Sequence, residues 1–575
     1  MCSNKPCATI QANFLENQLG RKAKNILFIM FDQLRFDYLS CAGHKHLETP
    51  HMDRLASKGV RFSRAYVQSP ICGSSRMSTY TGRYVHSHGA QNNGYPLKVG
   101  EQTMGDHLRK LGMDAFLIGK THMTPDNEGL DRLGISHDGV IGARLAECGF
   151  DIYIRDDGLW AEGPDGFYDE RRSPYNEYLK AKGYKAENPW QDNANAGIDE
   201  SGDIASGWLM KYADKPANIL EEHSETPWLT SRTIDFLKAK NDSKPWLAHV
   251  SYIKPHWPYI VPEPYHEMYG HNQIKPVNRA TSEREQTNPI FDQFINNAIG
   301  QAFHRDEVRA CVIPAYMGLI KQCDDQLGRL FAYLEDSKQM DDTLIVVTSD
   351  HGDYLGDHWM GEKCLFHDCS VKVPLIIFDP SEAADATRGT VCDALVESID
   401  LLATFIETAG GEVPDHIVEG KTLHPFLRGE KPDGWREFAI SEYDYGASGM
   451  ATRLDVAPRD ARLFMVTDKN WKFMHAEGGF QPMLFDLIND PDELIDLGVD
   501  PKFQEVRDLM YDRLGRWARR VSQRATKSEA DVLEMREGSG GKGILLGLYD
   551  GSEVDDDLKV KLFGKAAGNY VKAQD

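Results

Sequence analysis

The sequence predicts an α/β fold: a mostly parallel sheet flanked by helices, followed by a smaller C-terminal α+β subdomain. Three observations carry this. Short continuous apolar runs such as "NILFIMF" (Asn25–Phe31) and "TLIVVTS" (Thr343–Ser349) read as strands buried on both faces. They alternate with amphipathic stretches of helical length, the rhythm of a parallel sheet covered on both sides. From about Arg436 the pattern changes to short strands and turns, then a helix from about Lys502 to Val521.

The elements follow in order. The first strand ends in Asp32-Gln33. "TPHMDRLASKGVRFSRAYV" carries a helix, with Thr49-Pro50 as cap and first turn. "QTMGDHLRKLG" repeats that design and stops on Gly112, before the strand "MDAFLIG". "PWLTSRTIDFLKAK" is a helix, "PWLAHVSYI" a strand, and "YMGLIKQCDDQLGRLFAYLEDS" a long amphipathic helix. "TLIVVTS" runs into Asp350-His351, and "VPLIIFD" is a further strand. Residues 145–225 break the rhythm with Gly, Pro, Asn and aromatics, as either a lid or a surface excursion. The expected organisation is a leader segment at 1–24, the main domain at 25–435, the small-sheet subdomain at 436–521 and an extension at 522–575. The extension carries the apolar patches "GILLGLYDG" and "LKVKLFG", which suit contact with another subunit and a homo-oligomer, a dimer or tetramer.

Composition narrows the function. The chain has 575 residues and a formal net charge of −23, which argues against nucleic acid and anionic membranes as partners. An anionic substrate would need a local cluster of positive groups to overcome that field. The N-terminus shows no apolar h-region, and no run approaches a membrane span. Ten scattered cysteines read as free thiols, so a cytoplasmic location is expected.

In such sheets chemistry gathers beyond the carboxyl ends of the strands. There the pairs Asp32-Gln33 and Asp350-His351 offer two carboxylates, an amide and an imidazole to one divalent cation. Oxygen ligands suit Mg²⁺, Ca²⁺ or Mn²⁺, and the imidazole shifts the preference toward Mn²⁺, Zn²⁺ or Fe²⁺. "KCLFHDC" (Lys363–Cys369) resembles half of a second metal site and lacks the other half. In "SPICGSSRMSTYTGRY" (Ser69–Tyr84), Cys72 reads as a lone cysteine in a polar turn.

"C-G-S-S-R" followed by "STYTGRY" resembles the sulfatase signature Cys-x-Pro-x-Arg, then Thr-Gly-Arg. With both strand-end pairs, "GKTH" (Gly119–His122), "KPHWPY" (Lys254–Tyr259), Lys363 and "LFDLINDPDELIDL", the chain resembles the sulfatase family of the alkaline phosphatase superfamily. The Asp-Gln and Asp-His pairs resemble its phosphonate monoester hydrolase group. The resemblance implies an alkaline-phosphatase-like sheet and a metal-dependent hydrolase. It implies oxidation of Cys72 to formylglycine by a maturase, and attack of the hydrated aldehyde on sulfur or phosphorus. Carried over by motif, Arg76 supports Cys72 and the metal carboxylates, Lys120 and Lys363 hold the anionic oxygens, and Thr121 and Asn93 line the substrate. Asn92 is as well placed as Asn93. His122 is implied as the base that breaks the hemiacetal, and His256 as the acid for the leaving alcohol. Ser74 stands where the family has Pro, which puts efficient conversion of Cys72 in question. Three functions stay open: a sulfatase, arylsulfatase-like, for a small soluble ester; a phosphonate monoester or phosphodiester hydrolase with the same site; and an inactive binding protein. The intact metal set and both lysines weigh against the third.

Overall fold

The computed structural model describes residues 21–158, 173–240, 244–285, 287–522 and 526–537. Met1–Val413 with Val418–Arg520 forms one compact unit, and Pro414–Ile417 with Val521–Asp575 a second. In the second unit the described helix is Glu529–Glu537. The apolar patches of the extension and nearly all of the leader segment lie outside the described residues.

The first eleven strands of the main unit are β1 (Asn25–Asp32), β2 (Val60–Tyr66), β3 (Asp114–Gly119), β4 (Asp151–Arg155), β5 (Ala196–Ile198), β6 (Ile204–Ser206), β7 (Trp246–Pro255), β8 (Thr343–Ser349), β9 (Lys372–Phe378), β10 (Thr390–Cys392) and β11 (Val396–Glu397). Nine of them form the central sheet in the order β10-β2-β9-β8-β1-β7-β3-β4, with β11 also on β2. Only β9 runs against its neighbours; the other pairings are parallel, as the alternating pattern requires. Every residue of β1 is buried, which explains its unbroken apolar run. Ile26, Phe28 and Met30 enter one apolar cluster, and Leu27, Ile29 and Phe31 enter the other, so both faces of the sheet are covered.

A second sheet holds β12 (Ala439–Asp444), β13 (Arg462–Thr467), β14 (Trp471–Ala476) and β15 (Met483–Asp486), all antiparallel, followed by the Gln504–Ala518 helix. Its inward side chains Ala439, Leu463, Met465 and Met474 join the same apolar cluster as Phe28 and Met30. This sheet is therefore continuous with the main core. Among the described residues, no helix is long and apolar enough to cross a membrane.

Three expectations need correction. The long helix begins at Asp306, not Tyr316, and carries Pro314 inside its 31 residues. The 145–225 region carries regular structure where it is described: β4, a Pro174–Ala181 helix and a hairpin of β5 and β6, with residues 159–172 outside the described part. The polar turn at Cys72 is instead the first residue of a helix, Cys72–Thr81, all ten residues of which are buried. Its hydroxyls are used locally. Thr79 and Thr81 Oγ1 donate to the carbonyls of Ser75 and Met77, and Ser75 Oγ donates to that of Asp350. Ser78 pairs with His88 Nε2. Satisfied in this way, a polar helix can sit in a core.

Candidate active site

β1 delivers Asp32 beside β7, where the register breaks so that Asp32 faces Pro255, and beside β8, which leads into Asp350. Gln33 takes a left-handed backbone (φ 67°), and its amide donates to Asp350 Oδ1 at 3.1 Å. The buried helix points its N-terminus at this junction.

Cys72 Sγ lies 3.0 Å from His351 Nε2, 3.1 Å from Lys363 Nζ and 3.9 Å from Asp32 Oδ1. His351 Nε2 lies 3.5 Å from Asp32 Oδ1 and 3.6 Å from Asp350 Oδ1. Ligand atoms of Asp32, Cys72, Asp350 and His351 all fall within 4.8 Å of one another, and all four residues are buried. Gln33 directs its Nε2 to Asp353 Oδ2 (2.5 Å) and Tyr259 OH (3.2 Å), which leaves its Oε1 3.4 Å from Lys363 Nζ.

Arg76 is wholly buried and ties the floor together. It donates to Asp350 Oδ2 (2.7 Å), Asp32 Oδ2 (3.4 Å), Ser251 Oγ (2.7 Å) and the Lys120 carbonyl (3.0 Å). Lys120 Nζ donates to Asp32 Oδ2 at 2.6 Å. His256 Nε2 lies 3.3 Å from Lys363 Nζ, and its Nδ1 donates to the Trp257 carbonyl at 2.7 Å. Asn93 Oδ1 accepts from the Gly73 amide at 2.8 Å, whereas Asn92 Nδ2 donates to the Asp444 carbonyl. Asn93 is thus the residue beside the nucleophile's turn. His122 takes a left-handed backbone (φ 55°), and its amide donates to Asp157 Oδ1 at 3.2 Å. The Thr121 hydroxyl donates to the buried Glu147 carboxylate. The segment Cys364, His367 and Cys369 does not converge: His367 stacks on His358 at 3.9 Å and bonds Tyr354.

The electrostatics follow from this packing. Burial opposes a thiolate at Cys72, but Lys363 and His351 outweigh it, with hydrogen bonds from His122 and His256, and push the thiol well below its ordinary value. Burial and Cys72 would raise the Asp32 carboxyl; Lys120, His256 and Arg76 together hold it below the carboxylate range. Burial lowers His256 to about 4, with Lys363 adding to the effect and Asp32 opposing it. Arg76, Lys120 and Lys363 thus build a local cationic centre inside a chain of net charge −23. Sequence reasoning did not single out Asp353, Tyr259 or Ser251; Asp353 carried a signal, three residues past Asp350, and Tyr259 closes the "KPHWPY" stretch.

A buried cysteine beside two carboxylates, an imidazole and two lysines, at the carboxyl edge of a mostly parallel sheet, is an arrangement suited to chemistry on anionic esters. The family model described as Sulfatase matches residues 24–411, and that described as N-sulphoglucosamine sulphohydrolase, C-terminal, matches residues 356–520. The chain belongs to the sulfatase family and is a hydrolase of sulfate or phosphonate esters. It is 32% identical over 517 residues to the multifunctional alkaline phosphatase superfamily protein PehA of Trinickia caryophylli, covering 85% of this chain and 94% of that one. It is 29% identical over 495 residues to an arylsulfatase of Clostridium perfringens, covering 84% and 92%. Phosphonate monoester hydrolases from Silicibacter pomeroyi (TM-score 0.76, 28% identity, 88% and 97% covered) and Agrobacterium radiobacter (0.72, 29%, 86% and 95%) share the fold.

Proposed function

We propose that the protein hydrolyses sulfate monoesters of small soluble alcohols, with a nucleophile carried at Cys72 and converted to formylglycine. The observation that supports this best is the position of Cys72 Sγ, within 3.1 Å of both His351 Nε2 and Lys363 Nζ at the start of a buried helix. The donor set fits one divalent cation: two carboxylates and an imidazole, with the Gln33 carbonyl oxygen held toward the same centre. Asp32, Asp350, His351 and Gln33 would hold it, Mn²⁺ first, with Ca²⁺ or Zn²⁺ as alternatives. Bound there, the cation would polarise the transferred group and favour an ionised nucleophile.

The chain's own groups supply the rest. Lys120 and Lys363 neutralise the charge of the transferring group, and Arg76 holds both carboxylates in place. His256 donates Nδ1–H to Trp257, which leaves Nε2 as the atom that handles the leaving-group proton. At rest it is neutral. An incoming anion raises the imidazole's basicity, so Nε2 takes up a proton from solvent as substrate binds and passes it to the leaving alcohol. The Lys363 ammonium, 3.3 Å away and held firmly charged, orients the ring and does not supply that proton.

A second reading, phosphonate monoesters or phosphodiesters at the same site, is favoured by the two structural neighbours with TM-scores above 0.7. Parallel kinetics on nitrophenyl sulfate, a phenyl phosphonate monoester and a phosphodiester decide between them, with protein matured in its native host. Highest kcat/KM on the sulfate is expected. Preference for either phosphorus ester would install the second reading. Tryptic mass spectrometry should show the aldehyde at Cys72, and a bare thiol in fully active enzyme would overturn the assigned nucleophile.

A further inference from the structure

We propose that Lys254 is a positioning residue for His256, and that it acts by clamping the β5–β6 insertion to the segment that carries the histidine. This rests on the reading of His256 as the leaving-group acid.

Lys254 lies at the end of β7 and is 5% exposed. Its ammonium has three protons and three acceptors: Asn195 Oδ1 at 2.8 Å, the Pro258 carbonyl at 3.1 Å and the His256 carbonyl at 3.3 Å. All three are neutral oxygens. A lysine buried this deeply is held by geometry rather than by a direct ion pair, and burial pushes it down to about 8, with Glu225 opposing. Two of its bonds grip the main chain on either side of Trp257. That residue's carbonyl holds His256 Nδ1, and its ring stacks on the imidazole at 4.8 Å. Residues 256–260 lie outside any strand, between the His256 amide, which bonds the Ile253 carbonyl at 3.0 Å, and Val261, which bridges Pro216. Between those two points the clamp sets where Nε2 points.

The third bond reaches 59 residues back along the chain, to Asn195. The orientation of Asn195 is fixed independently. Its Nδ2 and its amide both donate to the Trp190 carbonyl at 3.0 Å, so only Oδ1 remains for Lys254. The hairpin then closes tightly over the clamp. The Gly207 amide bonds the Asn195 carbonyl at 2.9 Å, and a Cβ at Gly207 would fall 2.4 Å from that oxygen and 3.0 Å from Pro258 Cβ. Trp208 meets Trp257 edge to face at 4.9 Å. The insertion is thereby the outer wall of the leaving-group side, and Lys254 is the bolt through it.

The test uses the metal-loaded, full-length enzyme and a series of esters from nitrophenyl to simple alkyl leaving groups. Lys254→Met keeps the buried stem and removes the three donors. A misplaced acid costs most where the leaving group needs its proton, so kcat on alkyl esters should fall about tenfold or more, against about threefold or less on nitrophenyl esters. Lys254→Arg should recover part of the alkyl loss. Hydrogen exchange over residues 254–258 should quicken in Lys254→Met. A loss of equal size across the series, or unchanged exchange, overturns the positioning role. If Lys254→Met does not fold, Asn195→Leu carries the test, with the same bias expected and a uniform loss refuting it. His256→Ala separates the two levels. If that variant shows no leaving-group dependence, the reading of His256 itself fails; if it does and Lys254→Met does not, only the clamp fails.

Discussion

Replacing Arg76 with methionine is the most demanding test of the site's electrostatics. The side chain is wholly buried and donates to two carboxylates, one hydroxyl and one carbonyl. Methionine fills the stem and leaves those acceptors behind. Breaking a buried ion pair typically costs about 3–5 kcal/mol. The Ser251 hydroxyl can turn to another acceptor, and an orphaned Lys120 carbonyl adds about 1 kcal/mol. Two residual contacts act against this: Asp32 keeps Lys120 at 2.6 Å, and Asp350 keeps the Gln33 amide at 3.1 Å. We therefore expect a net loss of about 4 kcal/mol in chelator-treated protein. A divalent cation restores positive charge between the same carboxylates, so the loss should shrink when Mn²⁺ is supplied. Urea unfolding of both proteins, with and without chelator, reads this from the midpoint and slope. A loss below about 1 kcal/mol without metal would place Arg76 with exposed pairs of little worth and refute the argument.

Asp350→Ala should abolish metal retention and activity together, so stoichiometric metal in the variant by elemental analysis would remove Asp350 from the ligand set. Ser74 Oγ is buried without a partner among the described residues, and Ser74→Ala should stabilise by about 1 kcal/mol; destabilisation in a denaturant melt would mean that the hydroxyl is bonded. Burial raises the Glu442 carboxyl to about 8, Glu419 adding to it while the His86 amide and Arg520 oppose. Unfolded, it titrates near 4.3, so between about 4.3 and 8 only the folded state holds its proton and stability falls as pH rises. Glu442→Gln should therefore gain in melting temperature over the parent from pH 5 to 8.5, and a pH-independent difference would count against the raised carboxyl.

What was legible in the sequence was what depends on local pattern. Asn25–Asp32 and Thr343–Ser349 are buried on both faces, so their apolar runs are continuous and their ends mark Asp32 and Asp350. The Cys72 helix was not legible as a helix. Polarity signals exposure only when hydroxyls lack partners, and those of Ser75, Ser78, Thr79 and Thr81 all find one nearby. The direction of Thr121 was not legible either: its motif neighbour Lys120 turns to Asp32, and it turns to Glu147. Asn93 over Asn92 needed a distance, because both lie in the same short stretch. The pairing of Lys254 with Asn195 joins two segments by tertiary packing alone, and no local period could announce it.

The burial of the Cys72 helix also imposes an order of events in time. Cys72 is 1% exposed, and the helix that it starts has no residue at the surface. An enzyme making the proposed conversion of Cys72 would have to reach that thiol, and in the folded chain Ile71–Thr81 are all buried. Chemical maturation and closure of the core therefore compete. A chain that folds before it is modified keeps its thiol out of reach. Synthesis rate and temperature, which set how long Ser69–Tyr84 stays open, would then govern the active fraction of a preparation as strongly as the supply of the modifying enzyme does.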